Sequence, residues 1–128
     1  MNESMKGETL FEIRRTIDEL KLEELSTALG TPTAPDTATL VPFFGPTVPG
    51  EALFVDRMQL DFSRALLGGL AYQWARPFRV GETVDVKAFV EDMYEKANLL
   101  FAVVTTEFRD AGGDVIQVQK ATFIERGA

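Results

Sequence analysis

Among its 128 residues the chain has no cysteine and no histidine. Without cysteine there are no disulfides, no thiolate nucleophile and no Cys-built metal site. Without histidine there is no imidazole base for work near neutral pH, and a catalytic zinc loses its commonest ligand. No metal and no cofactor is expected. Basic residues are scarce: 13 Lys and Arg stand against 20 Asp and Glu, for a formal charge of -7. A nucleic-acid binder that tracks phosphates, or a domain held by charge to anionic lipid, needs the opposite balance. No apolar run approaches the roughly 18 residues of a membrane-spanning helix. The opening MNESMKGETLFEIRR has no apolar segment before a small-residue cleavage site, which reads against a secretory signal and for a cytoplasmic protein. The chemistry left open runs on carboxylates, hydroxyls and backbone amides.

What is present is the ordinary balance of a globular protein, 45% apolar and 26% charged, at a length that suits one domain over residues 1–128. Phe11 and Ile13 alternate with Glu12 and Arg14, which predicts an edge strand over Thr9–Arg15. Thr16 and Glu19 form a capping box, and Ile17, Leu20, Leu25, Ala28 and Leu29 recur at helical spacing up to Gly30. This predicts a helix over residues 17–29. The stretch TPTAPDTATLVPFFGPTVPG, from Thr31 to Gly50, predicts an ordered loop. A short helix is expected near 48–59, capped by Thr47, with Pro49 in its first turn and Leu53, Phe54 and Met58 on its apolar side. Four strands follow: Leu70–Trp74, Val84–Val90, Leu99–Phe108 and Val115–Ile124. The turns between them are expected at Val80–Glu82, Glu95–Asn98 and Asp110–Asp114. The layout is an α+β domain whose antiparallel sheet wraps a helix.

From Asp61 onward the chain resembles the MaoC-like dehydratases, and within them the non-catalytic subunits of mycobacterial 3-hydroxyacyl dehydratases. The resemblance rests on Asp61-Phe62-Ser63-Arg64, Leu67-Gly68 and, above all, Arg76-Pro77-Phe78-Arg79-Val80-Gly81-Glu82-Thr83. In that family the last segment reads as an R-P-hydrophobic-x-x-G-D corner between strands. Tyr94-Glu95-Lys96, Asp110–Asp114 and Glu125-Arg126 also fit. The resemblance covers about two thirds of the chain. It implies a hot-dog fold, a curled antiparallel sheet around a central helix, and pairing into a double hot-dog with an acyl-thioester tunnel at the interface. The central helix would be the segment near 48–59.

The same resemblance exposes a departure. Catalytic members use an Asp and a His from a motif similar to Gly-Asp-x-Asn-Pro-x-His just after the first helix. The corresponding stretch here runs from Gly30 to Asp36, with Thr31 in place of the Asp and Asp36 in place of the His. Threonine cannot titrate in the needed range, and the chain has no histidine to substitute. Two readings of function follow. The first is the non-catalytic half of a heteromeric 3-hydroxyacyl-thioester dehydratase or enoyl hydratase, paired with a MaoC-like subunit that carries the dyad. The second is a repurposed homodimeric enzyme acting on acyl or polyketide-like thioesters by hydrolysis, conjugate addition, isomerisation or cyclisation. A purely thioester-binding or structural partner differs from the first only in lacking a catalytic mate.

For an enzyme acting alone, the candidate carboxylates are Glu51 in the first turn of the short helix, Asp56 one turn later, and Asp36 in the loop. Each has a plainer reading: Glu51 as a favourable charge at a helix start, Asp56 on a polar helix side, Asp36 as a solvated loop residue. Phe43, Phe44, Tyr72 and Trp74 are candidates to line a substrate site or to fill core and interface. Gly45 and Gly50 sit where backbone amides can meet an oxyanion, and also suit plain turns. The Arg76-Pro77 corner reads as structural, because Pro ends a strand and Gly permits a turn.

Overall fold

The structure is a computed structural model, which describes residues 1, 3–17, 45–61 and 63–126. The helix expected over 17–29, apart from Ile17, and most of the loop leading to Gly50 lie outside the described residues. Those described form strand β1 (Thr9–Thr16), helix α1 (Glu51–Met58) and strands β2 (Ala65–Trp74), β3 (Thr83–Lys96), β4 (Leu99–Arg109) and β5 (Val115–Arg126). The strands make one sheet in the order β1-β3-β4-β5-β2, antiparallel at every pairing. β1 and β2, far apart in sequence order from their partners, are its two edges.

The alternation of Val84, Val86, Ala88 and Val90 buries that whole face, as expected of a half-covered strand. Two strands are longer than their periodicity suggests, and β-bulges explain both. In β3 the register shifts between Val90 and Asp92. The extra residue flips the alternation, so that Met93 returns to the core where a uniform period would place Asp92 or Tyr94. In β2 a shift between Leu67 and Gly69 lets the strand begin at Ala65 rather than at Leu70. The turn between β3 and β4 is a two-residue one at Ala97 and Asn98, with φ of 53° and 63°, the left-handed pair of a type I′ hairpin.

Helix α1 packs on the inner face of the sheet through Phe54 and Met58, spaced i, i+4 and both buried. The Phe54 ring lies 5.0 Å from that of Phe123 on β5. Leu53, expected on the same apolar side, is 36% exposed. The helix starts at Glu51, so Pro49 stands before its first turn rather than within it. Its N-cap is Gly50, not Thr47, and no side chain caps it. Thr47 ends a 3-10 turn over Gly45–Thr47, and its carbonyl accepts the Gly50 amide at 2.9 Å. Gly50 then enters the helix at φ 123°, a conformation side chains rarely adopt.

The Arg76–Glu82 corner closes the passage from β2 to β3. The Arg76 guanidinium donates from Nη1 and Nη2 to the two Glu82 carboxylate oxygens at 3.0 and 2.9 Å, and from Nη1 to the Pro77 carbonyl at 2.8 Å. The hydrogen bond to Glu82 raises the Arg76 pKa, and the same carboxylate accepts the Arg79 amide. This clasp turns the chain so that Phe78 drops into the core, with its ring 5.3 Å from those of both Trp74 and Phe108. The bidentate pair is mostly buried, and breaking one side leaves the other charge poorly solvated. Glu82→Gln should cost about 1–3 kcal/mol in stability by urea unfolding; a change within error would remove the clasp from the description of this corner.

Candidate functional site

Asp36, Phe43 and Phe44 lie outside the described residues. Glu51 and Asp56 both occupy α1 and both are exposed. Five residues of helix place their side chains about 140° apart around its axis, so the helix does not aim them at one point. Gly45 is buried, and its amide donates to Gln119 Oε1 at 2.7 Å. The Gly50 amide is likewise committed, to Thr47. Tyr72 and Trp74 project from edge strand β2 onto the inner face of the sheet. Tyr72 is paired in register with Gln119 and Trp74 with Gln117. Partial burial pushes the Tyr72 phenol above its ordinary pKa.

The residues these contacts bring together were not among those the sequence singled out. Gln117 and Gln119 are fully buried on the inner face of β5, flanked on β4 by Phe108 and Thr106. Gly45 packs so tightly here that an added Cβ would lie 2.7 Å from Thr106 and 2.8 Å from Gln119 Oε1. The order of donors follows from chemistry. A backbone N–H can only donate, so the group of Gln119 facing Gly45 is its oxygen and its amide nitrogen faces the other way. That nitrogen donates to Gln117 Oε1 at 2.6 Å. The Gln117 Nε2 is then left as a buried donor with no partner among the described residues, and the Thr106 hydroxyl is also without one.

A buried carboxylate also emerges. Glu125, 6% exposed, accepts the Met1 ammonium at 3.3 Å and the Asp61 amide at 3.2 Å. Asp61 in turn accepts the Ser63 hydroxyl and amide at 2.6 and 3.0 Å and the Arg64 Nε at 3.0 Å, and the Ser63 and Arg64 hydrogen bonds hold its pKa below the usual carboxylate value. The Asp-x-Ser-Arg part of the resemblance is therefore a local turn lock.

The sequence profile of the family described as FAS1-like, dehydratase domain region, matches residues 8–119. No curated protein matches the sequence. Among solved structures, the chain is similar to a MaoC-like dehydratase from Rhodospirillum rubrum, at TM-score 0.60 and 12% identity, over 96% of this chain and 93% of that one. It is similar to a MaoC-like dehydratase from Phytophthora capsici at TM-score 0.72 and 16% identity, covering 99% of this chain but only 50% of that one. A C-terminally truncated HadBC (3R-hydroxyacyl-ACP dehydratase) complex from Mycobacterium tuberculosis aligns at TM-score 0.65 and 10% identity, over 94% and 96% of the two chains.

The close approach of Gly45 to β4 and β5 has a direct consequence. Gly45→Ala must push apart Thr106 and Gln119, and should cost about 1–3 kcal/mol, the usual range for overpacking. Denaturant unfolding of the variant checks this, and an unchanged midpoint would mean that Gly45 does not seat against the glutamines.

Proposed function

We propose that this chain, which belongs to the FAS1-like dehydratase-domain-region family and is a MaoC-like hot-dog domain, binds acyl thioesters as the non-catalytic half of a heteromeric 3-hydroxyacyl-thioester dehydratase or enoyl hydratase. The observation that carries the reading is the dehydratase fold in a chain without a histidine. Hydration across an enoyl thioester needs one group to move the α-proton, one to deliver or protonate the oxygen, and amide donors for the thioester oxyanion. The corresponding positions here hold Thr31 and Asp36, and the amides of Gly45 and Gly50 are already donating within the chain. The chain's contribution is shape, one wall of an acyl site, while a MaoC-like mate brings the Asp and His. The resemblance to a solved dehydratase complex, HadBC, supports a division of this kind.

The surface that best suits a mate, or a second copy of this chain, is β2. Among the described residues this strand is a sheet edge with one side of its backbone unpaired, and it exposes Leu66, Leu67, Leu70 and Tyr72 by 39–59%. An apolar strand edge of that kind is what a partner strand covers. The second reading, a homodimer using Glu51, is favoured by that residue's place at the start of α1. Glu51 nonetheless stands exposed on α1, away from the buried glutamines of β5.

Co-expressed with a MaoC-like subunit carrying the dyad, the chain should co-purify with it, and Leu70→Lys should weaken that association at least about tenfold while the fold is kept. A chain that ignores such a subunit would end the first reading. Purified alone, the chain should not hydrate an enoyl thioester. Turnover by the chain alone that falls by roughly 2–4 powers of ten in Glu51→Gln would establish the second reading instead.

A further inference from the structure

The buried hydrogen-bond chain on the inner face of β5 has a direction and an open end. Gly45 N–H donates to Gln119, Gln119 donates to Gln117, and Gln117 Nε2 has no acceptor among the described residues. The direction cannot be reversed by turning the amides over, because the first donor is a backbone N–H. What is missing is therefore an acceptor. Buried amide groups in folded proteins are almost always satisfied, and one that is not marks the place of a water or a ligand atom. The side chains beside Gln117 in register are Trp74 and Phe108, and those beside Gln119 are Tyr72 and Thr106. All are neutral, so a carboxylate or phosphate would sit there without a cation to balance it. The open end lies one strand in from edge β2, with Trp74 and the 39% exposed Tyr72 as the edge residues on the same face.

We infer that Gln117 is a specificity-determining residue whose side-chain amide donates to a neutral acceptor oxygen, a keto or hydroxyl group, carried by the bound acyl chain. The inference rests on the acyl-binding reading above. It makes this domain a selector for oxygenated chains, with Gly45 and Gln119 acting as the positioning residues that fix which way the Gln117 amide points. A fully apolar chain would leave the donor unpaired and so bind less well.

Trp74 is the only tryptophan and the cross-strand neighbour of Gln117, so its fluorescence reports on the site. The probes are decanoyl N-acetylcysteamine thioester and its 3-, 5- and 7-oxo derivatives, titrated into the chain together with whichever subunit co-purifies with it. At least one oxo chain should bind about tenfold more tightly than the unsubstituted chain, the worth of one good hydrogen bond. In Gln117→Met that preference should vanish. Equal binding of all the probes by the unaltered protein overturns the role of Gln117 and leaves acyl binding standing, a result that does not depend on the variant folding. A preference that persists in Gln117→Met overturns it as well. If no chain binds, the acyl reading itself falls, and this inference with it.

Discussion

A sheet with strands of up to 14 residues has to bend around a helix of only eight, and most of the structure follows from that constraint. A flat sheet of this size would leave much of its inner face uncovered by α1. The sheet instead carries a register shift in each of its four pairings, between Thr9 and Phe11, Leu67 and Gly69, Val90 and Asp92, and Phe108 and Arg109. Bulges increase local twist and bend the strand that holds them. Curling brings Phe123 against Phe54, and the clasp of Arg76 on Glu82 lets Phe78 close the aromatic row from Trp74 to Phe108. Edge β2 contributes Trp74 to this closure and keeps its leucines in the open.

The same curl buries polar groups that a flatter sheet would leave in water. Gln117 and Gln119 face inward because Ala121 and Phe123, on the same side of β5, must meet the core. Each buried amide then needs partners, and the approach of Gly45, possible only without a Cβ, supplies one. The interior is thus apolar under α1 and polar toward the β5–β2 side. That asymmetry suits a chain that is mostly hydrocarbon with an oxygen at a defined place, and it is built without any charged side chain among the register neighbours of the glutamines.

Much of the architecture is legible in the residues, because period-two alternation in Val84–Val90 and the Ala97-Asn98 turn leave little choice. The bulged parts of β2 and β3 are not legible, since one extra residue inverts the pattern on which strand recognition depends. The glutamines are hidden for a related reason. In Val115-Ile116-Gln117-Val118-Gln119 the alternation does not single out an inner face, and Ile116, the extra residue at the register shift beside Phe108 and Arg109, is buried as well; only Ala121 and Phe123 downstream set the parity that carries the glutamines inward. The cap of α1 falls at Gly50 rather than Thr47 because a 3-10 turn followed by a positive-φ glycine leaves a weaker trace in sequence than a hydroxyl before a helix. The absence of histidine, by contrast, limits the chemistry from the sequence alone.

The central claim is that this domain shapes the substrate site while another polypeptide performs the proton transfers. It is tested most directly by titrating the chain into a fixed amount of the dyad-bearing subunit and following enoyl-thioester hydration at saturating substrate. Turnover should rise with added chain and level off at one copy per catalytic subunit, with none from the chain by itself. Turnover that is indifferent to the added chain, or that scales with the chain alone, would contradict it.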